Sequence, residues 1–443
     1  MAQSGRVRRF TIWHAALLLP WAIAAAGFRR TFNDNSYLWH VRAGDLQVDL
    51  GSVITADPFS FTMEGAPWRT QSWLAELSYS LVDSGLGLSA APLITTTMAV
   101  VMFVFLALVA FRKSKSVPSV VLFLVASAIV TAGFLNPRPV IFSFPLFAAV
   151  VVADDDRRLG WTLPVLMWIW ASVHGSFVIG LAFLGLRALG QGLDRRRLSQ
   201  LIIIGVPTLL TAHGWGVVDM LLDFGRHQDA LDQMSEWASP DLLAPPFLPL
   251  LAGFLVLIWL GTRDEIRAGD WWLLVPFAAL AVSANRAVPP AWIGLSPLLG
   301  RFRLPLGASA IGWPVAAGLA LVLLVGPFLI PAEESIDLER FPVEAASHLQ
   351  SDRVFHDDAT GGWLIYAQWP DRKVYIDDRA ELFGSGIVDL VEIRAGVGDW
   401  EAEFNEYGID EVLLPVDVPL VAILQAEGWE TGYEDEGFVV LRP

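Results

Sequence analysis

The chain has 443 residues, of which 54% are hydrophobic and 17% charged, and it contains no cysteine. Soluble domains carry about 45–50% apolar and about 25% charged residues, so this composition belongs in a bilayer. The lack of cysteine excludes disulfides, thiolate metal sites and thiol nucleophiles. The net charge of −16 is unevenly shared, because residues 332–443 hold 26 Asp/Glu against 7 Lys/Arg, a net −19, whereas residues 1–331 hold 20 against 23, a net +3. Two chemically different regions follow: a transmembrane body over 1–331 that includes a long loop at 29–87, and an acidic domain over 332–443.

Taken in chain order, long apolar runs lie at 10–28, 88–111, 117–135, 201–222, 246–260 and 307–330, with shorter ones at 140–152, 161–173, 177–190, 271–284 and 291–299. They predict an α-helical polytopic membrane protein of about eleven spans. The first run follows Arg6, Arg8 and Arg9 but lacks a small-residue cleavage site, so it reads as a helix and not as a signal peptide. With the N-terminus in the cytoplasm, fifteen Lys/Arg fall in inner loops and seven in outer loops, as the positive-inside rule requires. Eleven spans then place the acidic C-terminal domain outside. Segments of about 13–16 residues reach roughly 20–24 Å, less than the ~30 Å hydrocarbon core, so the short ones end in a polar cavity or are surrounded by protein.

The outward ends of those short segments carry Asn136-Pro137-Arg138-Pro139, Ser172-Val173-His174-Gly175 and Asn285-Arg286-Ala287, while His213 in Ala212-His213-Gly214-Trp215 interrupts the 201–222 run. Charged groups at such depth normally face a cavity or a partner. Arg138, Arg286, His174 and His213 run against the charge bias that orients the chain, and together they suggest one outward site for an anionic ligand. Plainer readings stand beside this one: snorkelling arginines, and histidines satisfied inside the bundle. The 29–87 loop opens with Asp34, a candidate N-cap, and continues through His40 to Asp57-Pro58-Phe59-Ser60-Phe61-Thr62. Its tryptophans suit the interfacial belt, so it is expected to lie on the outer leaflet as amphipathic helices.

From about residue 336 the pattern becomes α/β. Strands are predicted at 353–356, 373–376 and 412–416, helices at 361–368 and 418–427, and a closing hairpin pairs 430–434 with 437–441. Asp377-Asp378-Arg379 at a strand end has the chemistry to contact a ligand but reads first as a structural Asp–Arg pair. The acid surplus argues against nucleic acid as a partner.

A first helix followed at once by a large loop with an early acid, then many helices and an outer C-terminal domain, resembles the polytopic GT-C glycosyltransferases. The nearer resemblance is to bacterial membrane proteins related to the protein-mannosyltransferase and aminoarabinose-transferase group. Asp34, His40 and Gly44, then Asp57 to Thr62, Trp170 to Ser176, Glu236 to Pro240, Gly361 to Tyr366 and Ile376 to Arg379 carry it. The resemblance implies sugar transfer from a polyprenyl-phosphate donor to a glycan, lipid or protein acceptor at the outer face of a bacterial cytoplasmic membrane. It implies Asp34 as general base and Arg138 and Arg286 as phosphate partners, with His40, Asp57, His174, His213 and Glu236 as substrate-binding groups. Asn33 and Asn35 flank Asp34 where characterised members often have a second acid, which argues against a metal-bridged donor. Two other classes stay open: a lipid-linked-sugar flippase or transporter, against which stand the one-sided polar groups and the lack of inverted repeats, and a non-catalytic GT-C-like scaffold.

Overall fold

A computed structural model describes residues 11–27, 34–219, 235–304, 313–329 and 340–443. Arg6, Arg8, Arg9, Arg29, Arg30, Asn33, Arg226, Asp229 and Asp232 lie outside the described residues. Each of the eleven apolar runs overlaps a helix. In order these are α1 (Ile12–Ala16), α2 (Leu19–Gly27), then the loop helices α3 (Asn35–Leu50) and α4 (Trp73–Leu86), then α5 (Ala90–Ser114), α6 (Val117–Thr131) and α7 (Val140–Asp155). The series continues with α8 (Leu163–Val173), α9 (Phe177–Gly190), α10 (Arg195–Gly205), α11 (Leu248–Thr262), α12 (Trp271–Ser283), α13 (Val288–Leu299) and α14 (Trp313–Leu329). Among the described residues, three stretches are long and apolar enough to cross a membrane by themselves: Trp73–Ser114, Val117–Phe134 and Pro245–Thr262.

Helices α5, α7 and α13 pack on one another at the centre of the bundle, and α14 packs beside α1 and α2. Lipid tails are as apolar as leucine, so close contact and buried hydrogen bonds hold such helices together. Phe147, Trp170, Phe183 and Phe277 interlock with ring centroids 5.3–6.1 Å apart. Trp292 stacks on Phe123 at 5.8 Å and donates its indole N–H to Ser127 Oγ at 2.8 Å. Leu122, Ile129, Leu255, Ile258 and Val275 remain exposed on the perimeter, which suits contact with lipid. The basic residues in the last turns of α5 and α9 and just after α13 also make ion pairs. Arg112 pairs with Asp156 at 3.2 Å, Arg187 with Asp154 at 2.9 Å, Arg301 with Asp270 at 2.6 Å, and Lys113 also pairs with Asp155.

The C-terminal unit follows the predicted alternation closely. Its sheet has the order β1-β2-β4-β3, from β1 (Val354–His356), β2 (Glu411–Pro415), β3 (Glu430–Glu434) and β4 (Phe438–Arg442). The β1–β2 pair is parallel and the others antiparallel, and helix α15 (Asp358–Gln368) follows β1. The strand expected over 373–376 does not join this sheet. His356 Nε2 accepts the Tyr375 N–H at 3.0 Å, and Val374 instead forms a parallel bridge with Ser60 of the first loop.

That bridge changes the reading of the loop. Rather than lying on a leaflet, α3 is held between α4 and the C-terminal unit, with ten of its sixteen residues buried. Gly44 permits the crossing with α4, since a Cβ there would meet Glu76 O at 2.2 Å. On the other side Arg42 donates twice to Tyr366 O, at 2.8 and 2.6 Å. Trp39, Ile54, Phe59 and Trp68 share one apolar cluster with Val354, Leu364, Val374 and Phe438. Through this cluster runs the Arg379 guanidinium, 2.7 Å from Asp57 and 2.6 Å from Asp377, all three side chains fully buried. Breaking a buried ion pair from one side strands the remaining charge and costs about 3–5 kcal/mol. Arg379→Ala is expected to destabilise the solubilised protein by that order; an unchanged Tm by differential scanning fluorimetry would contradict the clamp.

Candidate functional site

Asp34 begins the site because α3 begins there. Its backbone is extended, and its carboxylate caps the helix by accepting the Tyr37 N–H at 3.2 Å. The second oxygen accepts from Arg138 Nε at 2.9 Å. Arg138 stands between Pro137 and Pro139 just ahead of α7, where the turn aims it back across the bundle. Its Nη1 reaches Glu236 Oε1 at 3.3 Å, and Glu236 Oε2 lies 3.9 Å from Arg286 Nη1. Arg286 in turn covers the Trp237 ring, 4.5 Å from its centroid. Four segments remote in sequence thus build one alternating line of charge: Asp34, Arg138, Glu236, Arg286. Both arginine side chains are 33% exposed and Glu236 43%, so the guanidiniums are open to a ligand while Asp34 is nearly closed off.

His174 joins this group. It is the C-cap residue of α8, and the charged group near it is Arg286. Its Nδ1 accepts the Ser176 N–H at 3.0 Å, so the neutral ring carries its proton on Nε2 and presents a donor there. His40 is turned the other way. Its Nδ1 lies 2.9 Å from Oε1 of fully buried Glu76, which also accepts from Gln47 Nε2 at 2.6 Å and from Thr70 Oγ1. His213 Nε2 donates to Thr70 O at 2.6 Å, and its charged neighbours are Glu76 and Arg69 rather than the arginine line. The structure therefore uses His40 and His213 to support the loop. Asp57 is spent too, accepting from Phe59 N, Ser60 N, Ser60 Oγ and Arg379.

Asp378 also lies here, in the Asp377-Asp378-Arg379 stretch whose sequence reads first as a structural pair. Asp377 and Arg379 form the expected structural pair, but Asp378 between them points the other way, to the head of α3. It accepts from Trp39 Nε1 at 2.6 Å and from Ser36 Oγ, two residues after Asp34. Burial pushes its carboxyl up to about 6; Arg138 and the Ser36 bond pull it down, and the charges of Asp377 and Asp34 push it up. A second carboxylate thus stands beside Asp34, supplied by the C-terminal unit and not by the loop. Among the described residues no three His, Asp or Glu side chains gather closely enough to hold a metal ion.

Neither a protein-family model nor a curated protein matches the sequence. Solved structures do. ArnT from Cupriavidus metallidurans in its apo state superposes with a TM-score of 0.57 at 14% identity, over 97% of this chain and 96% of that one. The same protein bound to undecaprenyl phosphate gives 0.56 at 14% identity, over 97% of each chain. The chain has the ArnT fold. The likeness in fold runs across the membrane body and the C-terminal unit together. The match to ArnT covers nearly the full length of both chains, including the loop helices and the small sheet.

Glu76 offers a direct check on this arrangement, since its removal would leave the donors of His40, Gln47 and Thr70 without their acceptor. Each buried group left unpaired costs about 1–3 kcal/mol. Glu76→Ala is expected to lower stability by at least about 3 kcal/mol, read as the midpoint of thermal unfolding in detergent, and a wild-type midpoint would refute the network.

Proposed function

We propose that this protein is a membrane glycosyltransferase that moves a sugar from a polyprenyl-phosphate donor to an acceptor hydroxyl at the outer face of a bacterial cytoplasmic membrane. The observation that carries the reading is the line Arg138–Glu236–Arg286, in which two partly open guanidiniums share one carboxylate. The donor's phosphodiester matches the carboxylate of Glu236 in charge and free oxygens and gains further charge and a further free oxygen as the lipid phosphate departs, and it can engage a guanidinium in the bidentate geometry that arginine favours. Displaced from the arginines, Glu236 becomes available to sugar hydroxyls. The ArnT fold supports the same reading, and ArnT itself has been captured with undecaprenyl phosphate.

In the reaction the acceptor oxygen bonds to the anomeric carbon as the bond from that carbon to the phosphate oxygen breaks. Negative charge grows on the departing lipid phosphate, where Arg138 and Arg286 oppose it. Nε2–H of His174 supplies a neutral donor to the same end. The acceptor proton must go to a carboxylate; with Glu236 turned to the sugar hydroxyls, Asp34 and Asp378 remain. The N-terminus lies in the cytoplasm and the C-terminal unit outside in this proposal, with the site at the membrane surface between them.

Removing one preorganised donor from developing charge typically costs 10²–10³ in rate. In proteoliposomes supplied with polyprenyl-phosphate hexoses or pentoses, Arg138→Ala and Arg286→Ala are each expected to release polyprenyl phosphate about 100-fold more slowly than wild type. Wild-type rates in both variants would sink the phosphate assignment. Transbilayer movement of the donor without transfer would establish the flippase instead.

A further inference from the structure

Two carboxylates meet at the head of α3, and their surroundings differ in kind. Both oxygens of Asp34 are engaged, by the Tyr37 N–H on one side and the Arg138 guanidinium on the other. With its side chain nearly closed off and tied to Arg138 by a charge-assisted bond, Asp34 is placed to hold that guanidinium rather than to meet an acceptor. Asp378 receives only neutral donors, the indole N–H of Trp39 and the hydroxyl of Ser36. It is half-buried, where Asp34 is nearly closed.

From this division we infer that the general base is Asp378, contributed by the C-terminal unit, and that Asp34 is the fixed counter-ion that sets Arg138 in place. The inference rests on the transferase reading above. As the acceptor oxygen attacks the anomeric carbon, its proton passes to an oxygen of Asp378, and the electron pair of the breaking glycosyl bond leaves on the lipid phosphate. Nothing else need be supplied. The charged groups that face Asp378 are Asp377 on its own segment, Asp34 ahead of α3 and Arg138 ahead of α7. A carboxyl poised near 6 is ionised at neutral pH yet basic enough to accept a proton during transfer. Because only its ionised form accepts, the rate must fall as pH drops through about 6 and level off above it.

The test measures kcat and donor KM against pH in proteoliposomes for wild type, Asp378→Asn, Asp378→Glu, Asp34→Asn and Trp39→Phe, with binding of a polyprenyl phosphate as the check that each variant is folded. Asp378→Asn is expected to lose about 100-fold or more in kcat with donor KM little changed, and Asp378→Glu to recover part of it with a displaced acid limb. Trp39→Phe removes a donor to the ionised carboxylate, so its acid limb should move to higher pH, a shift that a merely structural role would not produce. Asp34→Asn should raise donor KM and keep an acid limb, moved to lower pH because a charge that pushes the Asp378 carboxyl up is gone. If Asp378→Asn binds lipid phosphate and retains both kcat and the acid limb, or if the limb vanishes in Asp34→Asn instead, the assignment is overturned while the transferase reading survives. A folded wild type that releases no polyprenyl phosphate from any donor overturns both.

Discussion

A single buried cation holds this molecule's two regions in register. Arg379 lies between Asp57 of the first loop and Asp377 of its own segment, walled by Trp68 at 4.4 Å and by Phe59, Trp39 and Phe383 at 5.3–5.7 Å. Taking such charges out of water costs several kcal/mol per ion, and only close pairing offsets it. A slip of the loop by even one residue would leave a buried charge unmatched, so the contact tolerates one alignment. Purely apolar faces would accept several. That alignment is also the one that brings Asp378, next to Arg379, against Ser36 and Trp39.

The site follows from the same constraint. Helix α3 lies close to α4 at Gly44 and close to α15 at its head, where a Cβ on Gly362 would sit 2.5 Å from Asn35 O. With its head pinned on two sides, the Asp34 cap has little freedom, and Arg138 is drawn to a fixed point. Arg286 and Glu236 arrive from elsewhere in the bundle, and their order along the line is set by alternating charge. Support lies beneath, in the Glu76 network that ties His40, Gln47 and Thr70 together, with His213 bound to Thr70 from outside the loop.

Much of this was legible in the sequence, and the parts that were not share a cause. Helices and strands whose identity depends on local period and turn chemistry came out well, down to the closing hairpin, where Asp435 accepts the Gly437 and Phe438 N–H groups. Asp34, Arg138, Glu236 and Arg286 could be picked out because charge at the ends of apolar segments is expensive. Non-local docking left no such mark. Asp57 looked like a ligand group because its partner, Arg379, is 322 positions away in the chain. Asp378 looked structural because its neighbours on both sides are. The strand at 373–376 was real in its apolar pattern, but its partner turned out to be the loop.

The shared cluster of loop and C-terminal unit has a consequence for how the protein comes into being. Trp39, Phe59 and Trp68 are made early, while Val354, Leu364 and Phe438, which cover them, come near the end of synthesis. Contacts of such sequence separation carry a large loop-closure cost and form late. For most of its assembly the chain must therefore hold an aromatic surface without its cover, the kind of exposure that invites aggregation or chaperone capture. Asp378 reaches Ser36 and Trp39 only when that surface closes. Completion of the chain and closure over the head of α3 are one event, so a protein cut short ahead of Val354 would keep its membrane helices and leave that head uncovered.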